Sequence, residues 1–295
     1  MRYRFLIFGL IFSISLFGQK NEYQYPYVSD LEGKSAIKMV ILSKYRTLYG
    51  SDELILNDTS SYKFDSKGRL ILSNFPTVLI DSLVYDSIGN LIESYRFQSD
   101  RKTLESNYIM DFDTDNNIIQ KQLFDGDGSI LSTYSLTQKT NDYKIYTKTF
   151  KEGLIRIYEY HYNRKGFKIK KIITDKDSII LNEIYKYGNS DKYRNIKHMD
   201  FKGNIVAITT FDYDEQGNLL MELKRNEQTG EMEYKYEYTY DKYNNKLSEK
   251  SLFPNGNLLE FRFEYSYDSK GNWIRQVVYR GDKKSDAYER KIEYR

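Results

Sequence analysis

The chain has 295 residues, no cysteine and a formal net charge of +3, from 45 lysines and arginines against 42 aspartates and glutamates. The lack of cysteine excludes disulfide bonds, thiolate metal sites and a lipid anchor on an N-terminal cysteine. The near balance of charge argues against a nucleic-acid partner and against binding to an anionic membrane surface.

Residues 1–18 have the pattern of a secretory signal peptide. Two arginines precede an apolar run over residues 5–17, and the segment ends on a small residue. The alternative is an N-terminal membrane anchor, but the run is shorter than the about 20 apolar residues that a spanning helix needs. We therefore expect cleavage after Gly18 or Gln19, no membrane span in the mature chain, and export to the periplasm, the cell surface or the medium.

Residues 19–60 are predicted to form an atypical N-terminal cap. The apolar stretch at residues 36–48 indicates one or two buried strands, and residues 57–61 form a polar turn. No good copy of the motif that dominates the rest of the chain occurs in this segment. Terminal units of repeat arrays are usually atypical in this way.

Residues 61–295 repeat a seven-residue motif, of which YDSKGNW at residues 267–273 is representative. The second position is usually aspartate, and the fifth is always glycine or asparagine. Asp-x-x-Gly is typical of a type I turn followed by one residue at positive φ, which joins antiparallel strands. Only glycine and, less well, asparagine adopt that conformation cheaply. The copies begin at Phe64, Tyr85, Phe112, Phe124, Tyr162, Met199, Tyr213, Tyr240, Leu252 and Tyr267.

Aromatic and polar residues alternate between these turns with a period of two, as at residues 158–162, 234–240 and 261–267. This period is that of a half-buried β-strand. The composition agrees, because 30 tyrosines and 16 phenylalanines accompany only 3 prolines. Fifth positions at 89, 116 and 128 have the same spacing as those at 217, 244 and 256, which indicates internal duplication.

These features predict an all-β fold. We expect an antiparallel meander of repeated β-hairpins that forms one elongated, twisted or coiled open sheet. A closed outer-membrane barrel is disfavoured, because the polar face of the strands has glutamate and lysine where lipid requires apolar residues. The last strand, at residues 287–295, has many charged residues, which is typical of an exposed sheet edge.

The set of YD-x-x-G-N-L copies resembles the YD-repeat, or RHS-repeat, proteins of bacteria over residues 61–295. The likeness is greatest to small secreted YD-repeat proteins that end in a phrase like YERKIEY, at residues 288–294 here. The resemblance implies a β-rich repeat assembly with no assigned activity. The chain departs from the large RHS toxins in having no self-cleavage segment and no toxin domain, so a toxin-shell function is not implied.

Two acidic turns are the strongest metal candidates. Residues 113–117 (DTDNN) and 125–129 (DGDGS) place side-chain oxygens at alternate positions, as calcium loops do. An EF-hand loop ends with glutamate at its twelfth position, where this chain has Phe124 and Leu136. Both segments coincide with motif copies, which favours turn chemistry over calcium. No metal or cofactor is predicted.

His161, His198 and Trp273 give weaker signals. Neither histidine has a second histidine at ligand spacing, and no G-x-S-x-G serine occurs in the sequence, so surface or packing roles are favoured. Trp273 occupies the seventh motif position, where leucine or isoleucine usually stands, which favours the core over a sugar-stacking platform. The tyrosine rows leave the same two alternatives open.

The sequence thus predicts an exported repeat protein without an assignable catalytic residue. A structural or protein-interaction module of the cell envelope is favoured, because repeats form extended surfaces. A glycan- or peptidoglycan-binding protein with exposed tyrosine and tryptophan rows is the alternative. An enzyme is least favoured, since nothing selects a catalytic pair among the many carboxylates. The partner would be an envelope protein or a glycan, and the oligomeric state is open.

Overall fold

A computed structural model describes residues 31, 33–47, 53–75, 79–98, 100, 102–188 and 191–295. In these ranges the chain forms 20 β-strands and a 3-10 helix, Lys34–Ala36. The signal peptide predicted at residues 1–18 and the beginning of the predicted cap lie outside the described residues. None of the described helical structure is long and apolar enough to cross a membrane.

The strands follow one another along the chain and are joined by short turns. Most motif copies begin on the last residue of a strand, as predicted, and continue through the turn into the next strand. The strands are β1 Ile37–Thr47, β2 Leu54–Phe64, β3 Leu70–Asn74, β4 Leu79–Tyr85, β5 Leu91–Gln98, β6 Leu104–Phe112, β7 Ile118–Asp125, β8 Ile130–Lys139, β9 Tyr143–Phe150, β10 Ile155–Tyr162, β11 Lys168–Asp175, β12 Ser178–Tyr187, β13 Tyr193–Met199, β14 Ile205–Tyr213, β15 Leu219–Asn226, β16 Met232–Tyr240, β17 Lys246–Leu252, β18 Leu258–Tyr267, β19 Trp273–Arg280 and β20 Lys283–Tyr294.

The all-β class and the antiparallel hairpins are confirmed, but the predicted open sheet is wrong. Each strand pairs with the strands before and after it in the chain, and β1 also pairs with β20, from Ile37 opposite Tyr294 to Arg46 opposite Asp286. The sheet is therefore a closed, 20-stranded antiparallel barrel. Its seam, the β1–β20 contact, joins two strands that lie at opposite ends of the described chain.

The prediction that the charged last strand is an exposed sheet edge is wrong. Because β20 pairs on both sides, it has no edge to protect. One face of the strand is charged and lies outside, where Lys38 Nζ is 2.7 Å from Glu293 Oε1 across the seam. The guanidinium of Arg295 donates to the carbonyl oxygens of Ile37 and Phe64, both at 2.6 Å. The chain end thus joins β1 and β2 rather than capping a free edge.

The predicted turn chemistry is confirmed. The fifth motif residue has positive φ at Gly217 (85°) and also at Asn244 (63°), where asparagine replaces glycine. The Gly217 N–H donates to the carbonyl oxygen of Asp214 at 3.1 Å, and Asp214 Oδ1 accepts the N–H of Asn218 at 2.7 Å. Aspartate therefore holds the turn, and the small residue permits its backbone conformation.

Turns that follow the even-numbered strands lie at one end of the barrel, here called the motif rim, and they are bonded to one another. The Tyr240 hydroxyl donates at 2.9 Å to the carbonyl oxygen of Leu219, the first residue of β15 after the preceding rim turn. Asn218 Nδ2 donates to Asn244 Oδ1 at 2.9 Å. Equivalent bonds join Tyr85 to Leu70, Tyr187 to Lys168, Tyr265 to Lys246 and Asn90 to Asn116. Tyrosines and asparagines at or near this rim therefore link neighbouring hairpins.

The Tyr240→Phe variant is expected to lower the free energy of unfolding by about 1 kcal/mol, the net value of one hydrogen bond. Tyr213→Phe is the matched control, because Tyr213 occupies the same motif position but makes no such bond among the described residues. Urea denaturation of both variants measures the difference. Equal losses would contradict a linking role for the Tyr240 hydroxyl.

The strands are paired so that one face of each strand lies on the same side of the sheet all the way around the barrel. On β16 that face has Tyr234, Tyr236 and Tyr238, and it continues through Glu222 on β15 and Glu249 on β17. Most of the buried residues lie on it, so we call it the enclosed face and its opposite the outer face. Further members are Val40, Tyr62, Leu83, Tyr108, Lys121, Tyr134, Tyr146, Tyr158, Glu183, Tyr185, His198, Thr209, Phe211, Phe263 and Tyr288.

The largest buried cluster lies at the seam. Ile37 and Val40 of β1 are fully buried there, beside Tyr62 of β2 and Trp273 of β19. Each fully buried aliphatic side chain contributes about 1.5–3 kcal/mol relative to exposure. The apolar stretch predicted at residues 36–48 is therefore a buried strand, and its burial stabilises closure of the barrel.

Candidate binding surfaces of the barrel

The carboxylates of the first acidic turn, at residues 113–117, form ion pairs with a lysine of the same chain. Asp113 Oδ1 accepts the N–H groups of Asp115 and Asn117 at 2.9 and 2.8 Å. The Lys139 ammonium lies 2.9 Å from Asp113 Oδ2 and 2.7 Å from Asp115 Oδ2. Partial burial raises the pKa of Asp113, but hydrogen bonds from Asn117 and Lys139 outweigh it and lower that pKa to about 2. Within the described ranges, no three His, Cys, Asp or Glu side chains group closely enough to hold a metal.

Calcium is expected to leave the thermal midpoint of unfolding unchanged. Lys139 occupies the carboxylates of the first turn, Lys151 Nζ lies 3.7 Å from Asp125 Oδ2 in the second, and neither loop has a closing carboxylate. The measurement is a calcium titration followed by thermal melting, with sodium chloride at matched ionic strength as control. A rise of several degrees that is specific to calcium would contradict this interpretation.

His198 belongs to a half-buried polar network across β12, β13 and β14. Its Nδ1 lies 3.3 Å from Glu183 Oε1, and its Nε2 lies 2.9 Å from Thr209 Oγ1. Burial raises the pKa of Glu183, but hydrogen bonds from His198 and Tyr185 outweigh it, so that the pKa is lowered. The order carboxylate, imidazole, hydroxyl is that of a nucleophilic triad. Thr209 is only 2% exposed, however, so its hydroxyl is not accessible as a nucleophile, and the network joins the three strands.

His161 lies on the outer face of β10, as its alternation with Tyr160 and Tyr162 predicted, and it contacts the carboxylate of Glu159. His161 and His198 are therefore on opposite faces of the sheet. The structure does not bring the two histidines together.

Trp273 is 4% exposed, which confirms the predicted core position. The guanidinium carbon of Arg290 lies 3.3 Å from the centre of the Trp273 ring and covers it. The tyrosines at residues 234–240 are half-buried on the enclosed face. Ring centres are 5.0 Å apart for Tyr234 and Tyr236, and 6.5 Å for Tyr236 and Tyr238. Any ligand of this row would bind from the enclosed side of the sheet.

A row of basic side chains on the enclosed face was not predicted. Register aligns Lys121 of β7 with Tyr134 of β8, Tyr134 with Lys148 of β9, and Lys148 with Arg156 of β10. We call Lys121, Lys148 and Arg156 the cationic row. Arg156 Nη2 lies 2.7 Å from Asp175 Oδ2, whereas Lys121 and Lys148 have no ion-pair partner in the described part of the chain.

The pKa values of Lys121 and Lys148, the two lysines of the cationic row, are both lowered. Burial lowers the pKa of Lys121 to about 8, and the positive charge of Lys148 contributes to the same shift. Burial and the charge of Arg156 likewise lower the pKa of Lys148. Lys121 Nζ lies 4.2 Å from the centre of the Tyr108 ring, a cation–π contact that offsets part of the cost. The lysines are visible in the sequence, but only strand register places them together.

The outer face has two unlike sides. From β10 to β12 it presents exposed isoleucines, among them Ile155 at 51% and Ile157 at 40%. Ile179 and Ile184 extend this isoleucine side onto β12. From β17 to β20 the outer face has cross-strand ion pairs beside the exposed Leu258, namely Lys250 with Glu260 at 2.8 Å and Arg275 with Glu289 at 3.6 Å.

The fold places the chain in the class of closed antiparallel β-barrels built from hairpin repeats. No protein-family model matches the chain, and no curated protein is similar enough to count as a relative. The chain is similar to part of a chain in the crystal structure of TcdB2-TccC3-Cdc42. The match covers 75% of this chain and 13% of that chain, with 17% sequence identity and a TM-score of 0.35. The chain is 12% identical to a porin-like protein from Bacteroides uniformis, over 87% of this chain and 98% of that one, with a TM-score of 0.36.

A porin-like protein from Bacteroides vulgatus is 9% identical, over 86% of this chain and 97% of that one, with a TM-score of 0.24. The chain spans about an eighth of the TcdB2-TccC3 chain, where the match covers 13%. At TM-scores below 0.5 these similarities assign neither a family nor a function. The resemblance to YD-repeat proteins therefore rests on the motif copies themselves.

Proposed function

We propose that the chain is an exported, envelope-associated barrel that acts as a structural or protein-interaction module. The signal-peptide pattern of residues 1–18 supports export. The isoleucine side is the observation that supports an interaction role. Exposed Ile155, Ile157, Ile179 and Ile184 lie on the outer face from β10 to β12, whereas the outer face of β17 and β18 has the Lys250–Glu260 ion pair. Exposed apolar side chains grouped on one side of a protein mark a contact surface for a partner.

Export is tested by the intact mass of the protein recovered from outside the cytoplasm. The expected mature chain begins at Gln19 or Lys20. A chain that keeps Met1 would contradict the signal-peptide interpretation.

The interaction role is tested by photo-crosslinking in living cells. A crosslinking residue at Ile157 is expected to yield protein adducts, and one at Lys250 on the charged side is the matched control. Ile179→Lys in the first background is expected to suppress the adducts, since it places a charge in the same apolar surface. Equal adducts at both positions, no adducts at Ile157, or lipid adducts alone would overturn the proposal.

A glycan-binding role is the second candidate, and the observation that favours it is the row Tyr234, Tyr236 and Tyr238. These rings are half-buried and have Glu222 beside them, whose Oε1 accepts the Tyr234 hydroxyl at 2.8 Å. Flat faces with a nearby carboxylate suit stacking and hydrogen bonding of sugars. Binding to envelope glycans should weaken in Tyr236→Ala and persist in Tyr279→Ala on the outer face. Equal binding by both variants would exclude this row.

A further inference from the structure

We infer that the enclosed face of β7–β10 binds a ligand with a phosphate, sulfate or carboxylate group, held by Lys121, Lys148 and Arg156. This site is separate from the isoleucine side and from the tyrosine row of β16. Its chemistry is that of an oxyanion met by several basic side chains.

The positions of the three side chains suit one shared anion. Lys148 and Arg156 are directly opposite each other on paired strands, where Cβ atoms lie about 4.5–5.5 Å apart. Lys121 is one strand further away, so its backbone is about 10 Å from that of Lys148. Lysine and arginine side chains are long enough to span this distance, and Tyr134 of β8 lies between Lys121 and Lys148 in the same row.

Lys148 and Arg156 are like charges directly opposite each other on paired strands, and the charge of Arg156 lowers the pKa of Lys148. Like charges directly opposite each other in a sheet are destabilising. Arg96 faces Asp81 with 2.8 Å between Nε and Oδ1, so that pair neutralises itself. In the cationic row, the carboxylate of Asp175 contacts Arg156 alone. A bound oxyanion would supply the negative charge that Lys121 and Lys148 lack within the described residues.

The surroundings leave part of the row accessible. Lys121, Lys148 and Arg156 are half-buried rather than fully buried. Aromatic rings flank them, since Tyr134 stacks on Tyr146 at 4.7 Å between ring centres, and Lys121 lies over Tyr108. Low polarity around a cation strengthens its attraction to an anion. The lowered pKa of Lys121 agrees with a site for an anion, because a buried ammonium group without a counter-ion loses its proton more readily.

The test is calorimetric titration of the full mature chain with inorganic phosphate, sulfate and glucuronate in turn, against chloride at matched ionic strength. At least one of the three is expected to bind, and which one it is distinguishes phosphate, sulfate and carboxylate ligands. The Lys148→Gln variant should bind at least tenfold more weakly. Lys197→Gln removes the same charge from the outer face of β13 and should bind like the parent chain.

Two further readouts separate a binding role from a purely structural one. Without the anion, Lys148→Gln should be at least as stable as the parent chain, because it removes a repulsion. Affinity of the parent chain should fall as pH rises above about 8, where Lys121 loses its proton. No binding beyond chloride, equal binding by Lys148→Gln, or equal weakening by both variants would overturn the inference.

Discussion

Gly68→Val is expected to open the barrel at its seam and to lower the free energy of unfolding by about 3 kcal/mol or more. Gly68 has a φ of 78°, which strains a β-branched residue by about 1–2 kcal/mol. A Cβ there would lie 2.8 Å from both the Lys34 carbonyl carbon and the Ser35 nitrogen. Those atoms are backbone of the helix that leads into β1, so the clash displaces the start of β1, which is one of the two strands of the seam. Urea denaturation measures the loss.

Gly217→Val is the matched control, because it has the strain without the backbone clash. Its φ is 85°, and a Cβ would meet only the end of the Lys192 side chain at 3.5 Å. Its expected cost is about 1–2 kcal/mol. Gly217→Asn should cost less, since Asn116 and Asn244 already adopt that conformation in equivalent turns. Equal losses for the two valine variants would contradict the packing of Gly68 against the seam.

Hydrogen exchange on Gly68→Val distinguishes a closed barrel from an open array. In a closed barrel, loosening the β1 seam removes the neighbour of β20, so protection should fall in both strands and then around the ring. In an open array, damage would remain in β1, β2 and β3 and would not reach β20. Loss of protection confined to those three strands would contradict closure.

Raising the pH above about 10 is expected to unfold the barrel cooperatively, because the unfolded pKa of tyrosine is about 10. Burial raises the pKa of Tyr134, Tyr146 and Tyr162, and it raises that of Tyr160 to about 12. A group with a raised folded pKa contributes stability that is complete below its unfolded pKa and is lost as the pH rises towards the folded value. Each two-unit shift corresponds to about 2.7 kcal/mol, so a few such tyrosines exceed the stability of an ordinary domain.

The measurement compares tyrosinate absorbance with far-ultraviolet circular dichroism across the alkaline range. The two transitions should coincide, because the buried hydroxyls ionise only when the barrel opens. Tyr160→Phe is expected to raise the alkaline midpoint, since it removes one of these ionising groups. Lys121 has the opposite effect on stability. Its pKa is lower in the folded state than in the unfolded state, so its contribution to the free energy of unfolding rises between about pH 8 and 10. Gradual ionisation of all tyrosines with an unchanged dichroism spectrum would contradict the prediction.

Part of the candidate chemistry was predictable because it depends on near neighbours in the sequence. The acidic turns are turns because Asp113 reaches backbone N–H groups within four residues. Trp273 was placed in the core because its motif position is apolar elsewhere. The cationic row was not predictable, because a slip of one residue between β7 and β9 would move Lys121 or Lys148 to the opposite face. Irregular pairing near Phe124 and Gln138 also shifts that register.

The sequence by itself determined the class, the hairpins and the turns. An Asp-x-x-Gly turn is stabilised within a few residues, as in Asp214 and Gly217, and alternation with period two needs no distant partner. Only the tertiary structure decided closure. Pairing of β1 with β20 joins Ile37 to Tyr294, and Arg295 to the carbonyl of Phe64, across almost the whole chain. Such contacts depend on the strand number, twist and register summed over 20 strands, which no local pattern in the sequence contains.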